Sequence, residues 1–184
     1  QRQMCIRDSF RSIVAKKTLD MGADIINDIS AGTLDNNMLK TISDYKCVYI
    51  MMHMQGNPKT MQKDPKYNNP TKEIINYLAK RLKIARELNI IDIIIDPGFG
   101  FGKSLDHNFE ILSNLNYFSM LEQPILAGFS RKSMIYKTLK INKENSINGT
   151  SALNTIALTK GAKILRVHDV KEAKECVILH NKIK

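Results

Sequence analysis

Short apolar runs rich in β-branched residues alternate along this chain with longer amphipathic stretches, and each run breaks off into polar or glycine-rich sequence. Alternation of this kind marks parallel strands joined by crossover helices. Strands are predicted near Ile25-Ile26, Cys47 to Met52, Ile91 to Ile95, Pro124 to Ala127 and Ala162 to Val167. Helices are predicted at Arg11 to Met21, Asn36 to Ser43, Thr71 to Glu87, Lys132 to Leu139, Ser151 to Lys160 and Lys171 to Asn181. The clearest is Thr71 to Glu87, where Ile74, Ile75, Leu78, Leu82, Ala85 and Leu88 recur at helical spacing. The strand ends read Asn27-Asp28, His53 to Gly56, Asp96 to Gly98, Gly128 to Lys132 and Arg166 to Asp169. An open doubly wound sheet concentrates chemistry at one switch point, whereas a (β/α)8 barrel distributes it over the C-terminal ends of many strands. Five functional strand ends favour the barrel. A full barrel takes about 250 residues, so a chain of 184 is short of one by about two βα units.

The run Asp96-Pro97-Gly98-Phe99-Gly100-Phe101-Gly102-Lys103 places a carboxylate on a glycine-rich bend at a strand end, the first sign of a small-molecule site. Gly102-Lys103-Ser104 resembles the close of a nucleotide phosphate loop, but Pro97 stands where the first glycine is needed and has no amide hydrogen to offer. A net charge of +10 invites a nucleic-acid reading, yet the lysines scatter and no basic run interleaves with aromatics. Cys5, Cys47 and Cys176 show neither disulfide nor zinc spacing, and a reducing cytoplasm is the expected compartment. Cys47 and Cys176 read as core residues. The four histidines show no HxH or HExxH spacing, and His53 is expected to support its loop rather than touch a substrate. No apolar run reaches the ~20 residues of a membrane helix, and Gln1 to Ser9 has no leader-like apolar stretch, so a soluble protein is expected.

Five segments then occur together and in order: Gly22 to Asp28 (GADIIND), Met52 to Gln62 (MHMQGNPKTMQ), Asp96 to Lys103 (DPGFGFGK), Ser130 to Ser133 (SRKS) and Arg166 to Val170 (RVHDV). With them the chain resembles the dihydropteroate synthase family of pterin-binding enzymes. The resemblance implies a transferase of folate biosynthesis that joins 6-hydroxymethyl-7,8-dihydropterin diphosphate to 4-aminobenzoate, with Mg²⁺ as cofactor, acting as a cytoplasmic homodimer when full length.

It also implies roles. Asp96 and Lys132 are the candidate catalytic residues. A pterin offers adjacent N–H donors at its amino-pyrimidinone edge, which one carboxylate accepts in the ring plane. The pterin set is Asp8, Asn27, Met52, Asp96, Phe101, Gly128 and Lys132. The diphosphate set is Arg166 and His168, which two-residue spacing sends to one face of a strand end. The 4-aminobenzoate set is Phe101, Ser130, Arg131, Lys132 and Ser133, at the start of a helix whose free amides favour an anion. Blander readings stand beside these: a helix cap for Asp96, a turn residue for Asn27, a surface lysine for Lys132 and core packing for Met52 and Phe101.

The chain departs from the family at its front. The segments that follow family strands one and two, the first of which supplies a Mg²⁺–diphosphate asparagine, do not occur here, so the expected fold is an incomplete barrel lacking roughly the first two βα units. No metal ligand is assigned. Residues 1–9 read as a foreign leader or the remnant of family strand three, whose pterin-contacting aspartate falls in register with Asp8, although Gln1 to Arg7 has the pattern of neither strand nor helix. Residues 10–184 form the pterin-binding domain. A noncatalytic pterin-binding module or an inert fragment is the alternative from another class, and a pterin-dependent methyltransferase the rival enzyme.

Overall fold

The computed structural model describes residues 6–58 and 60–183. Six short strands alternate with helices: β1 (Ile6–Asp8), α1 (Ser12–Asp20), β2 (Ile25–Asp28), α2 (Met38–Tyr45), β3 (Val48–Met52), α3 (Pro70–Glu87), β4 (Ile93–Asp96), α4 (Leu105–Ser113), β5 (Leu126–Ala127), α5 (Ser133–Leu139), α6 (Ile147–Thr159), β6 (Ile164–Leu165) and α7 (Val170–Ile183). Two 3₁₀ segments, Leu115–Leu121 and Lys143–Asn145, complete the connections.

All pairings are parallel, and spatial order follows chain order from β1 to β4 and from β5 to β6. The Ile95–Ile125 bridge, with the Ile95 amide donating to the Pro124 carbonyl at 2.9 Å, joins the two groups. Among the described residues the order never reverses, so they contain no doubly wound switch point. The sheet has two unequal faces. Ile26, Tyr49, Met51, Ile93 and Ile95 pack outward into the main core with the helices. Ile25, Ile50 and Leu126, with Val48, Ile94 and Ile164, form a small second cluster on the other face. Side chains from β2 through β6 meet in that cluster only if the sheet curls around it, as a barrel wall does.

Helix placement follows local chemistry. α3 starts where the Asn69 side chain accepts from the Lys72 amide at 2.8 Å, with Pro70 in the first turn, and it buries Ile74, Leu78, Leu82 and Ala85. α4 escaped the sequence reading. Its start is a capping box between Ser104 and His107, with histidine where glutamate or glutamine is usual. α6 begins at Ile147, four residues before the predicted Ser151, and closes on Gly161 at φ +101°.

Residues 1–9 read in sequence as a foreign leader or the remnant of a strand, with no strand pattern in Gln1 to Arg7. Ile6–Asp8 is a strand, paired with β2 in the register Ile6 to Ile25 and Asp8 to Asn27. Backbone pairing needs no Val/Ile pattern, and a three-residue edge strand leaves little pattern to see. Residues 1–5, the rest of the proposed leader, lie outside the described residues. Among the described residues no helix is long and apolar enough to cross a membrane.

Candidate functional site at the strand ends

Side chains two residues apart on a strand share a face. One step beyond the small interior cluster, that rule brings Asn27 above Ile25, Met52 above Ile50, Asp96 above Ile94, Gly128 above Leu126 and Arg166 above Ile164. Asp8 joins the same layer through its pairing with Asn27. Every residue predicted to contact a pterin from a strand end therefore lies in one ring at one end of the sheet. The intervening residue, Asp28, faces the helices instead. It is fully buried and accepts from the Ser30 and Gly32 amides, the Ser30 hydroxyl and the Tyr49 hydroxyl, a structural role.

Asn27 is 4% exposed; its Nδ2 donates to Asp8 Oδ1 at 2.9 Å, while its Oδ1 finds no hydrogen-bond partner among the described residues. A buried acceptor left open costs about 1–3 kcal/mol, so this oxygen stands free to accept from a donor brought to it. Arg166 pairs with the other oxygen of Asp8, linking the end of β6 to that of β1.

Asp96 is buried and accepts from the Gly98 amide at 2.7 Å. Burial raises its pKa, against the opposing pull of Lys132, the Gly98 amide, Lys103 and Arg166. Lys132 is pushed down to about 8, first by burial; Asp96 opposes the shift and Arg166 adds to it. Its Nζ donates to the Phe99 carbonyl at 2.5 Å and lies 4.8 Å from the centre of the Phe101 ring. A flat aromatic wall, a lysine and a carboxylate thus converge, as recognition of a heteroaromatic ring requires.

The glycine loop is pressed between β3's tail and Lys132. A Cβ on Gly98 would lie 1.9 Å from the His53 carbonyl oxygen, and one on Gly102 would lie 2.6 Å from that of Gln55; both backbones have positive φ. Lys132 Cδ approaches the Cβ position of Gly100 to 3.1 Å from the other side.

At the start of α5, Lys132 takes the N-cap position without a side-chain cap, and Ser133 opens the helix. Ser130 is buried, and its Oγ lies 3.2 Å from both the amide and Nδ1 of His168. Arg131 has its guanidinium forked onto Asp169 at 2.9 and 2.5 Å, and its amide donates to Thr150 Oγ1 at 3.2 Å, so it braces the loops after β5 and β6 against each other. Arg166 and His168 are exposed at the rim. His53 matches its expected supporting role: it is buried, edge-on to Tyr77 at 4.9 Å, and held far below the usual histidine range, at about 2, by burial and by Lys103.

Lys103 was not singled out by sequence reasoning as a site residue. It is 4% exposed, with a pKa brought down to about 7 mainly by burial. The signal lay in its position as the first charge after Asp96, between two residues of a tightly turning loop.

The sequence matches the family described as pterin binding enzyme over residues 2–168. The chain belongs to the pterin-binding enzyme family. It is 43% identical over 165 residues to the dihydropteroate synthase of Haemophilus influenzae, covering 89% of this chain and 60% of that protein. To the dihydropteroate synthase of Escherichia coli it is 38% identical over 172 residues, covering 92% and 61%. The chain thus spans about 60% of the length of these relatives. Among solved structures, dihydropteroate synthase from Yersinia pestis with a sulfonamide drug superposes with a TM-score of 0.95 at 32% identity, over all of this chain and 67% of that one. The enzyme from Xanthomonas albilineans in complex with 7,8-dihydropteroate gives a TM-score of 0.89 at 30% identity, over 97% and 68%. The α/β architecture of this chain is therefore that of dihydropteroate synthase.

Among the described residues no three His, Cys, Asp or Glu side chains come together as a metal cage. A hollow lined by Ile42, Cys47, Ile90 and Ile91 lies at the opposite end of the strands and holds none of the predicted site residues. Burial raises the Cys47 thiol to about 11, which keeps it unreactive.

Proposed function

We propose that the protein to which these residues belong is a dihydropteroate synthase, and that this chain supplies its pterin floor and its 4-aminobenzoate and diphosphate contacts. One observation carries the reading: the open acceptor of Asn27 lies in the same interior layer as the buried carboxylate of Asp96, with Lys132 beside it. Two acceptors and one strong donor suit the amino-pyrimidinone edge of a pterin. Asp96 takes the paired N–H donors in the ring plane, Asn27 Oδ1 takes a further one, and Lys132 donates to the ring carbonyl and nitrogen. Met52 and Phe101 close the ring's faces, and Gly128 leaves room where a side chain would intrude.

The bond from the pterin methylene to the diphosphate oxygen then breaks, its electron pair leaving with the diphosphate, and positive charge spreads over methylene and ring. Asp96 stabilises that charge in a water-poor layer. Arg166 and His168 hold the departing oxygens, which requires Arg166 to leave Asp8. The amine of 4-aminobenzoate attacks the methylene, forms the new carbon–nitrogen bond and loses a proton, while Ser130, Ser133 and the Arg131-braced loop position its carboxylate. Mg²⁺ is proposed to arrive with the diphosphate, where it would offset the charge of the leaving group; the described residues offer it no cage of their own.

The finer architecture belongs to the same proposal: the six strands are part of a (β/α)8 barrel completed by two further βα units, in a cytoplasmic homodimer. The coverage of relatives by this chain supports the first point. Calorimetric titration of 6-hydroxymethylpterin into the chain and into Asp96→Asn tests the site. Replacing one acceptor by a donor beside a ligand N–H costs about 2–3 kcal/mol, a loss of about 30- to 150-fold in affinity. Equal dissociation constants would refute the assignment.

A further inference from the structure

The mechanism above makes no use of the most deeply buried cation in the site. Lys103 Nζ lies 2.9 Å from the Phe101 carbonyl, 3.1 Å from His53 Nδ1 and 3.4 Å from the His53 carbonyl. An ammonium has three donors and no acceptor, and here three acceptors surround it. Two belong to the end of β3 and one to the glycine loop. The same His53 carbonyl lies under Gly98, and the Tyr67 hydroxyl donates to the Gly102 carbonyl at 3.0 Å, so the loop is pinned along its length. The pinned loop carries Phe101, and its Gly98 amide holds Asp96.

We propose that Lys103 is a positioning residue for pterin recognition: its three N–H bonds clamp the Gly98–Gly102 loop onto β3 and so fix the Asp96 carboxylate and the Phe101 ring. The inference rests on the pterin-site reading above. The groups facing Lys103 are His53 at the end of β3, Asp96 at the end of β4 and Lys132 before α5, with Tyr67 of the β3–α3 connection on the adjacent Gly102 carbonyl and Tyr77 of α3 behind His53. His53 stays neutral and cannot compete for the charge. Deprotonation of Lys103, at about 7, leaves two donors for three acceptors and removes a cation from beside Asp96.

The test is the affinity for 6-hydroxymethylpterin, read by its fluorescence from pH 5.5 to 9 in the unmodified chain, Lys103→Met and Lys103→Arg, with folding checked by circular dichroism. Titration of the probe itself is common to all three. The unmodified chain should lose affinity in one step near pH 7 and another near pH 8, the second from Lys132. Lys103→Met should bind at least tenfold more weakly at pH 6 and lack the step near pH 7. Lys103→Arg keeps the charge without titrating, so it should bind better than Lys103→Met and also lack that step. If Lys103→Met does not fold, a step near pH 7 persisting in Lys103→Arg overturns the proposal. Pterin binding by the unmodified chain with an unchanged affinity and pH profile in Lys103→Met overturns this inference alone. No pterin binding by the unmodified chain overturns the site reading as well.

Discussion

Replacing Gly98 by alanine should cost far more than the same change at Gly22, although both residues have positive φ, +72° and +94°. A non-glycine residue in that region costs about 1–2 kcal/mol. At Gly22 nothing lies within 4 Å of the new Cβ, so that is the whole penalty, partly offset by the stiffer unfolded chain. At Gly98 the Cβ would sit 1.9 Å from the His53 carbonyl oxygen. That oxygen cannot retreat easily, because the His53 amide is bonded to the Asp96 carbonyl at 3.0 Å and Lys103 reaches the same carbonyl. The loop must lift instead, which breaks the 2.7 Å bond from the Gly98 amide to the Asp96 carboxylate. A hydrogen bond to a charged group is worth about 1.5–3 kcal/mol. Gly98→Ala should therefore lose about 3–5 kcal/mol and Gly22→Ala about 1 kcal/mol. Urea denaturation followed by circular dichroism, with equal slopes in both variants, gives the comparison. Losses that agree within about 0.5 kcal/mol would refute the claim that close backbone approach, rather than φ alone, demands glycine at this position.

Two further outcomes follow from buried groups. His53 has a folded pKa of about 2 against an ordinary 6.5, so unfolding binds a proton below pH 6.5 and stability falls as the pH drops through that window. Between pH 7.5 and 5 this amounts to about 2 kcal/mol. His53→Gln should lose that much less over the same interval, and equal acid sensitivity in denaturant titrations would count against a neutral, buried His53. Tyr49→Phe removes the 2.7 Å bond to Asp28 where both residues are fully buried. The thermal midpoint should fall by about 4–8 °C, from a loss of about 2 kcal/mol, with pterin affinity unchanged. Weakened pterin binding would place Asp28 in the site instead of behind it.

The helix and strand periods carried most of the architecture. α3 is where its apolar spacing put it, β3 falls within its predicted run, and β4 starts two residues later than predicted and ends one later, on Asp96. What the pattern could not show was the two-layer interior, because a single strand does not say which of its alternate residues meets the other strands. Register supplies that: Asn27 and Asp28 look equally functional in sequence, yet one opens into the ring and the other is locked by four hydrogen bonds behind it. β1 shows no strand pattern because it is an edge of three residues, and α4 was missed because histidine completed its capping box. Arg131 was legible as part of a motif, but its engagement with Asp169 depends on a contact 38 residues away in sequence. Lys103 was hidden by its likeness to a phosphate-loop lysine, which drew attention to the missing glycine and away from the lysine.

A crystal structure of this chain soaked with 6-hydroxymethylpterin tests the central claim most directly. The ring should lie across the interior layer, with both Asp96 oxygens in its plane on adjacent N–H donors, Asn27 Oδ1 on a further donor and Lys132 at the ring carbonyl. A pterin bound elsewhere, or bound at the strand ends with Asp96 still directed only at the Gly98 amide, would contradict it.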